Sequence, residues 1–327
     1  MIHVESLTKI FRTHKKEPGL LGSAKSLFNR QYTEFIAADS VTFSIPEGAL
    51  VGMLGANGAG KTTTLKMLSG LLHPSSGTAT VMGYVPWERD NGFRRNFSLV
   101  MGQRNQLWWD LPAADSFLLN KEMYRISDID YKNRLKSLSE HLDIADKLHI
   151  QVRKLSLGER MKCELIGALL HYPKVVFLDE PTIGLDIVAQ HALREFIAGF
   201  NKEHGTTIIL TSHYMDDIEA LCERVILMDE GRIQFDGGLS VLVDNFSGEK
   251  VVTIILDEVP GPESLTEFEH IHEIGKDRII FKVPKNDIAG ITTKCLNHFS
   301  VRDITISEMP VEEVIREIFS GKNSENS

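Results

Sequence analysis

The run Gly55-Ala56-Asn57-Gly58-Ala59-Gly60-Lys61-Thr62-Thr63 sets glycines ahead of a cation and two hydroxyls. Glycine-rich backbone can turn successive N–H groups into one concavity. The apolar run Val51-Gly52-Met53-Leu54 before it reads as a buried parallel strand. A helix starting near Lys61 would aim its positive end at the same spot. Strand, loop and helix together fit the phosphate-binding P-loop. Gly55, Asn57, Gly58, Ala59 and Gly60 would line the phosphates, and Lys61 would reach the β- and γ-phosphates. The Thr62 hydroxyl would sit on Mg2+, and Thr63 would lie in reach of the α-phosphate. The guanine-reading Asn-Lys-x-Asp motif does not follow, which points to ATP.

A second apolar run, Val175-Val176-Phe177-Leu178, ends in Asp179-Glu180-Pro181. A carboxylate at the end of such a strand lies at the carboxyl edge of the sheet, where open α/β folds bind ligands. Asp179 would hold Mg2+ through water, and Glu180 would activate or orient the attacking water. His213 follows the apolar strand Thr207-Ile208-Ile209-Leu210 and would project from the same edge. Leu155-Ser156-Leu157-Gly158-Glu159 presents a hydroxyl and backbone N–H groups at a helix start, an anion site with no cation of its own. Such a half-site is weak alone and useful when added to phosphates held elsewhere.

At this point the chain resembles the ATP-binding cassette (ABC) ATPases, the motor subunits of ABC transporters, over about residues 1–238. The resemblance implies a P-loop NTPase (RecA-like) α/β core with an inserted helical subdomain at about 104–165, followed by a small α+β C-terminal domain at 239–327. It gives Gln103 the role of the glutamine that contacts Mg2+ and the attacking water. It makes Ser156 and Gly158 the positions that hold the γ-phosphate of the opposite subunit, Asp186 of Gly184-Leu185-Asp186 the D-loop aspartate, and His213 the histidine that touches the γ-phosphate. Phe11 sits where the family sets an aromatic ring against adenine; from the residues alone a core phenylalanine is the equal alternative.

Two signature positions depart from the commonest pattern: Leu157 replaces glycine and Glu159 replaces glutamine. Glu159 adds negative charge near a phosphate, with Arg160 beside it to offset that charge. The implied cofactors are ATP and Mg2+. The implied partners are a second copy, with ATP sandwiched between subunits, and one or more membrane permeases; the C-terminal extension resembles that of ATPases driving ABC-2-type exporters. The rival reading is a soluble ABC-type ATPase of translation or DNA maintenance. Only about fifty residues separate Gln103 from the signature, too few for the long coiled coil of the latter class.

Whole-chain properties narrow the field further. A chain of 327 residues allows a large domain and a smaller one. No apolar stretch approaches the roughly 18 residues of a membrane span, so a pore must come from another polypeptide. A net charge of −9 argues against nucleic acid as the partner. The N-terminus lacks a signal-peptide core, and Cys163, Cys222 and Cys295 lack paired or metal-like spacing. Both fit a cytoplasmic chain, peripheral on the membrane's inner face.

The elements that must position these groups follow from pattern. Strands are expected at 2–11, 39–45, 224–228 and 232–235, a helical run at 115–148, and helices at 160–170 and 187–202. The basic segment at 12–30 (Arg12, His14, Lys15, Lys16, Lys25 and Arg30, with Leu20, Leu21, Leu27 and Phe28) reads as a solvated hairpin or helix, or as a patch touching anionic lipid or a permease. Trp108-Trp109 reads either as core or as an exposed groove for a partner helix. Beyond 239, strands at 251–256, 278–283 and 301–306 and an amphipathic helix at 311–319 make the appendage, and 321–327 reads as a disordered tail.

Overall fold

β1 (Ile2–His14) pairs antiparallel with β2 (Tyr32–Ile45) and, on its other side, with β4 (Ser76–Val81). The computed structural model describes residues 1–14, 32–102, 104–258 and 260–319, which divide into two compact units, Met1–Gly237 and a second beginning at Gly238. Gln103, most of the basic segment and the C-terminal tail lie outside the described residues.

Between β2 and β4 come β3 (Leu50–Gly55) and α1 (Lys61–Leu68), which join strand to helix through the glycine loop. The remaining strands of the first unit are β5 (Phe97–Met101), β6 (Val175–Asp179), β7 (Thr207–Thr211), β8 (Arg224–Asp229) and β9 (Arg232–Gly238). With β3 they form a six-stranded sheet in the order β5-β6-β7-β3-β8-β9. Every residue of β6 and β7 is buried, which is why these strands read as continuous apolar runs without alternation. The register pairs Met101 with Asp179, Asp179 with Thr211, and Thr211 with Met53. Parallel direction and matched ends therefore bring four strand termini to one edge.

A single apolar cluster holds the two sheets and α1 together. Ile2, Val4 and Phe43 of the antiparallel sheet meet Leu65, Met67 and Leu68 of α1 and Val175, Phe177 and Ile209 of the parallel sheet. Leu65, Met67 and Leu68 are fully buried, and each such side chain stabilises the fold by about 1.5–3 kcal/mol relative to exposure.

The expected helical run at 115–148 is two helices, α2 (Ala113–Tyr124) and α3 (Asp128–His141). Arg125 turns into the left-handed region at φ 55°, and Ser127 caps the second helix by accepting from Asp130 N at 3.1 Å. α4 (Leu157–Leu169) starts three residues before the expected Arg160, because Ser156 and Glu159 form a reciprocal capping box. α5 (Ile187–His204) runs from its Asp186 cap to Gly205 at φ 62°, and α6 (Met215–Leu221) follows β7.

The second unit contains α7 (Leu239–Phe246), β10 (Glu249–Leu256), α8 (Pro262–Leu265), β11 (Ile271–Ile274), β12 (Arg278–Pro284), α9 (Ile288–His298), β13 (Val301–Glu308) and α10 (Val311–Phe319). Its strands run antiparallel in the order β11-β12-β10-β13, the split β-α-β arrangement of ferredoxin-like folds. Val252, Ile254, Ile279, Phe281 and Cys295 form its core. α7, α8, β11 and α9 are additional to the expected elements. β11 is four residues long with three of them exposed, and α9 carries several β-branched residues that mask a helical pattern.

Candidate active site

The glycine loop leaves β3 with Gly55 at φ 154°, where a Cβ would stand 2.4 Å from the Met228 carbonyl oxygen. Gly60 at φ 102° would likewise meet the Ala37 carbonyl oxygen at 2.4 Å. Both positions therefore require glycine. Asn57 and Gly58 are exposed at the tip of the loop, and Ala59 is buried behind it. Lys61 turns back over the loop, its Nζ donating to the carbonyl oxygens of Gly55 at 2.7 Å and Ala56 at 3.1 Å. Burial draws the Lys61 ammonium below its ordinary value, and the Glu180 and Asp179 carboxylates pull in the opposite direction.

Thr62 and Asp179 meet across the sheet edge. The Thr62 hydroxyl donates to Asp179 Oδ1 at 2.9 Å and lies 3.0 Å from Oδ2. Thr63, the next residue of α1, is half-buried. Between the strands bearing Asp179 and the loop lies β7, and its last residue, Thr211, joins the group. The Thr211 hydroxyl donates to Asp179 Oδ1 at 2.8 Å and accepts from Glu180 N at 3.1 Å. One β-branched hydroxyl thus orients both acidic neighbours. Sequence reasoning missed Thr211, because a threonine ending an apolar strand looks like ordinary strand composition.

Glu180 leaves the strand at φ 55°, a sparsely populated conformation for a residue with a Cβ. Its side chain is mostly buried, and Oε1 lies 2.6 Å from His213 Nε2. The ring N–H can donate to the carboxylate there. Gly102 N donates to the Asp179 carbonyl oxygen at 2.8 Å, so β5 approaches the Glu180 turn closely.

Ser156 is exposed at the start of α4. Its hydroxyl accepts from Glu159 N at 3.2 Å, while Glu159 Oε2 accepts from Ser156 N at 2.8 Å. The charge of Glu159 faces Lys147 Nζ at 3.9 Å, and Arg160 instead covers the Trp109 ring at 5.4 Å. The departure at Leu157 has its own role: a Cβ on Gly184 would meet Leu157 Cδ2 at 3.1 Å, and one on Gly158 would meet Ala189 Cβ at 3.1 Å. The signature loop and the segment capped by Asp186 are therefore packed side by side. Asp186 Oδ1 accepts from Ala189 N at 2.8 Å, and the next two residues, Ile187 and Val188, are 81% and 79% exposed.

Phe11 lies on β1 opposite Phe35 and is 37% exposed, so it is not a core residue. Lys9 Nζ stands 5.3 Å from its ring centroid.

Trp108 and Trp109 are also exposed, and Trp108 borders a groove of about 730 Å³. Apolar Leu71, Leu119 and Met123 line the groove together with Arg94, Arg95 and Arg104. At its floor Glu164 of α4 accepts from Gln106 N at 2.9 Å and Leu107 N at 3.3 Å. Burial raises the Glu164 carboxyl above its ordinary value, against the pull of those two amides and of Arg160.

Residues 38–183 match the family described as ABC transporter, and residues 248–307 match the EvrA-like ABC transporter C-terminal domain. The chain is 32% identical over 223 residues to the ABC transporter ATP-binding protein NatA of Bacillus subtilis (strain 168), covering 68% of this chain and 90% of NatA. The chain belongs to the ATP-binding proteins of ABC transporters. This ABC ATPase is also 33% identical to the Nod factor export ATP-binding protein I of Burkholderia orbicola (strain AU 1054), over 72% of this chain and 75% of that one. It is 26% identical to the linearmycin resistance ATP-binding protein LnrL of Bacillus subtilis (strain 168), over 87% and 92%. A solved structure described as the ATP-binding subunit of an ABC transporter superposes with a TM-score of 0.62 at 25% identity, over 75% of this chain and 92% of that one. The ABC ATPase thus binds and hydrolyses ATP to power transport. Among the described residues, no helix is long and apolar enough to cross a membrane.

Proposed function

We propose that this chain is the ATP-hydrolysing subunit of an exporter, working as a homodimer on the cytoplasmic face of a membrane against a separate permease. The observation that carries the chemistry is the convergence of Lys61, Thr62, Asp179, Thr211, Glu180 and His213 at one sheet edge. Gly55, Asn57, Gly58, Ala59, Gly60 and Thr63 would receive the phosphates of ATP, with Lys61 exchanging its two carbonyl partners for phosphate oxygens. Phe11 would offer its exposed ring to adenine.

A hydroxyl and a carboxylate meeting at 2.9 Å are hard oxygen donors of the kind Mg2+ takes, few enough to leave it several waters. Thr62 and Asp179 would therefore hold Mg2+, with Gln103 as a further ligand. When bound, Mg2+ neutralises charge on the β- and γ-phosphates. Glu180 would accept the proton of the attacking water, and His213 would hold the Glu180 carboxylate in position and face the γ-phosphate.

The dimer follows from the other half-site. Ser156 and Gly158 sit beside an exposed apolar pair, Ile187 and Val188, a surface suited to a second copy whose γ-phosphate Ser156 and Gly158 would complete. The division into Met1–Gly237 and a unit beginning at Gly238 supports a nucleotide-binding domain over residues 1–238 and an accessory domain over 239–327. The groove beside Trp108 would receive a permease helix, and the export named for the Nod factor relative supports the direction of transport. The test is Glu180→Gln, which retains the shape of the side chain without its basicity. ATP binding is expected to persist, turnover to fall by about a hundredfold or more, and an ATP-bound dimer to accumulate on gel filtration. Unchanged turnover would remove the base assignment.

A further inference from the structure

We infer that Asp217 is a positioning residue that sets the spacing between Glu180 and His213; the inference rests on the proposed roles of those two groups. Asp217, on α6, has no solvent exposure, and its carboxylate gathers three donors from three different segments. Oδ2 accepts from the Thr182 hydroxyl and from the Ser212 hydroxyl, the latter at 2.6 Å. Oδ1 accepts from Arg194 Nε of α5 at 2.6 Å. Thr182 is two residues after Glu180, and Ser212 is the residue before His213. A single carboxylate oxygen thus ties together the two backbone segments that present the Glu180–His213 contact.

The ring closes on itself. Arg194 also donates to Gln190 Oε1 at 3.3 Å, and Gln190 Nε2 lies 3.5 Å from the carbonyl oxygen of Thr182 and donates to that of Leu185 at 3.2 Å, next to Asp186. The Ser212 hydroxyl, while donating to Asp217, accepts from Tyr214 N at 3.0 Å, so its proton can point only toward the carboxylate. Thr182, Ser212 and Gln190 are all buried. A charged acceptor shared by two buried hydroxyls is stronger than a neutral one and leaves neither hydroxyl a solvent alternative. Loss of either hydroxyl frees one of the two segments. The Glu180 turn is held in an unfavourable conformation and depends on such restraint.

The experiment uses the full chain and compares Ser212→Ala and Thr182→Val with Ser212→Thr and Thr182→Ser, which keep the hydroxyl. Steady-state kcat and KM for ATP are measured alongside thermal melting of each variant. The hydroxyl-free variants are expected to lose about tenfold in kcat, the size of one charge-assisted hydrogen bond, with KM within about twofold of wild type. The hydroxyl-keeping variants are expected to return to within about threefold of wild-type kcat. A purely structural role would lower the melting temperature and leave kcat of the folded protein unchanged, which would overturn the inference. So would equal losses in the variants with and without the hydroxyl. Glu180→Gln measured in parallel separates the premise from the inference. If it is inactive while Ser212→Ala and Thr182→Val turn over normally, the positioning role alone fails; if it turns over normally, the assignment of Glu180 falls and the inference falls with it.

Discussion

Gly102 stands directly behind Glu180: a Cβ on Gly102 would come within 2.0 Å of the Glu180 carbonyl oxygen. The residue that follows β5 and the turn after β6 are therefore in backbone contact, at a position with no room for a side chain.

Gly102→Ala should displace the Glu180 backbone and break the 2.6 Å approach to His213. Turnover is expected to fall at least about tenfold, with a stability loss of about 1–3 kcal/mol from overpacking. ATPase kinetics and urea unfolding read the two effects separately. Wild-type turnover in Gly102→Ala would show that the turn tolerates movement.

Glu159 tests whether the departure in the signature is a defect or a cap. Its carboxylate closes the box with Ser156, and glutamine can accept the same backbone N–H. Glu159→Gln should leave stability within about 0.5 kcal/mol of wild type, and Glu159→Ala should lose about 1 kcal/mol, read as a shift in the urea midpoint. Equal midpoints for the two variants would contradict the cap.

His171 should make stability depend on pH. Both ring nitrogens are shut off from solvent without a hydrogen bond of good geometry, and the ring stacks on Tyr124 at 3.7 Å. Burial pushes its pKa down to about 4, against a small opposing pull from the Phe97 backbone. The unfolded chain takes up this proton first. The contribution is therefore complete above the ordinary value of 6.5 and is lost as pH falls from there toward about 4. The full loss is at most about 3 kcal/mol. His171→Phe keeps the stack and should flatten the unfolding midpoint between pH 7 and 5, measured by denaturation at a series of about five pH values. A wild-type midpoint already flat across that window would refute the assignment.

The groove beside Trp108 should be separable from the nucleotide site. Arg95 and Arg104 line this groove, and Trp108 at its border is 51% exposed. Trp108→Ala, or charge reversal at Arg104, should weaken co-purification with the proposed permease about tenfold or more while nucleotide binding stays unchanged. Loss of soluble protein in Trp108→Ala would instead assign that ring a packing role.

Much of the site could be read from the chain because its chemistry falls at strand ends. Lys61, Asp179 and His213 each follow an apolar run, and a run that is buried on both faces announces where its last residue must emerge. Thr211 and Asp217 could not be read so. One resembles strand composition, and the other looks like a first-turn acid favoured by the helix dipole. Only the tertiary register brings Thr211 beside Asp179 and buries Asp217 against Arg194. The cap that Glu159 forms with Ser156 was legible beside its charge, because Ser-x-x-Glu ahead of an apolar helix is a capping signal. The helical run expected at 115–148 divides at Arg125, because Ser127 offers a fresh start three residues before Asp130.

The placement of β7 between β6 and β3 carries one more consequence. Strands alternate their side chains with a period of two, so a slip of one residue in β7 would turn the Thr211 hydroxyl away and set a hydrocarbon against Asp179. Length is thus the fragile coordinate of this machine. A one-residue insertion within residues 207–211 should cost both fold and turnover, whereas exchange of one apolar side chain for another at 208–210 should be largely absorbed. Within the strand the apolar letters at 208–210 are exchangeable; Thr211 and the count of residues are not.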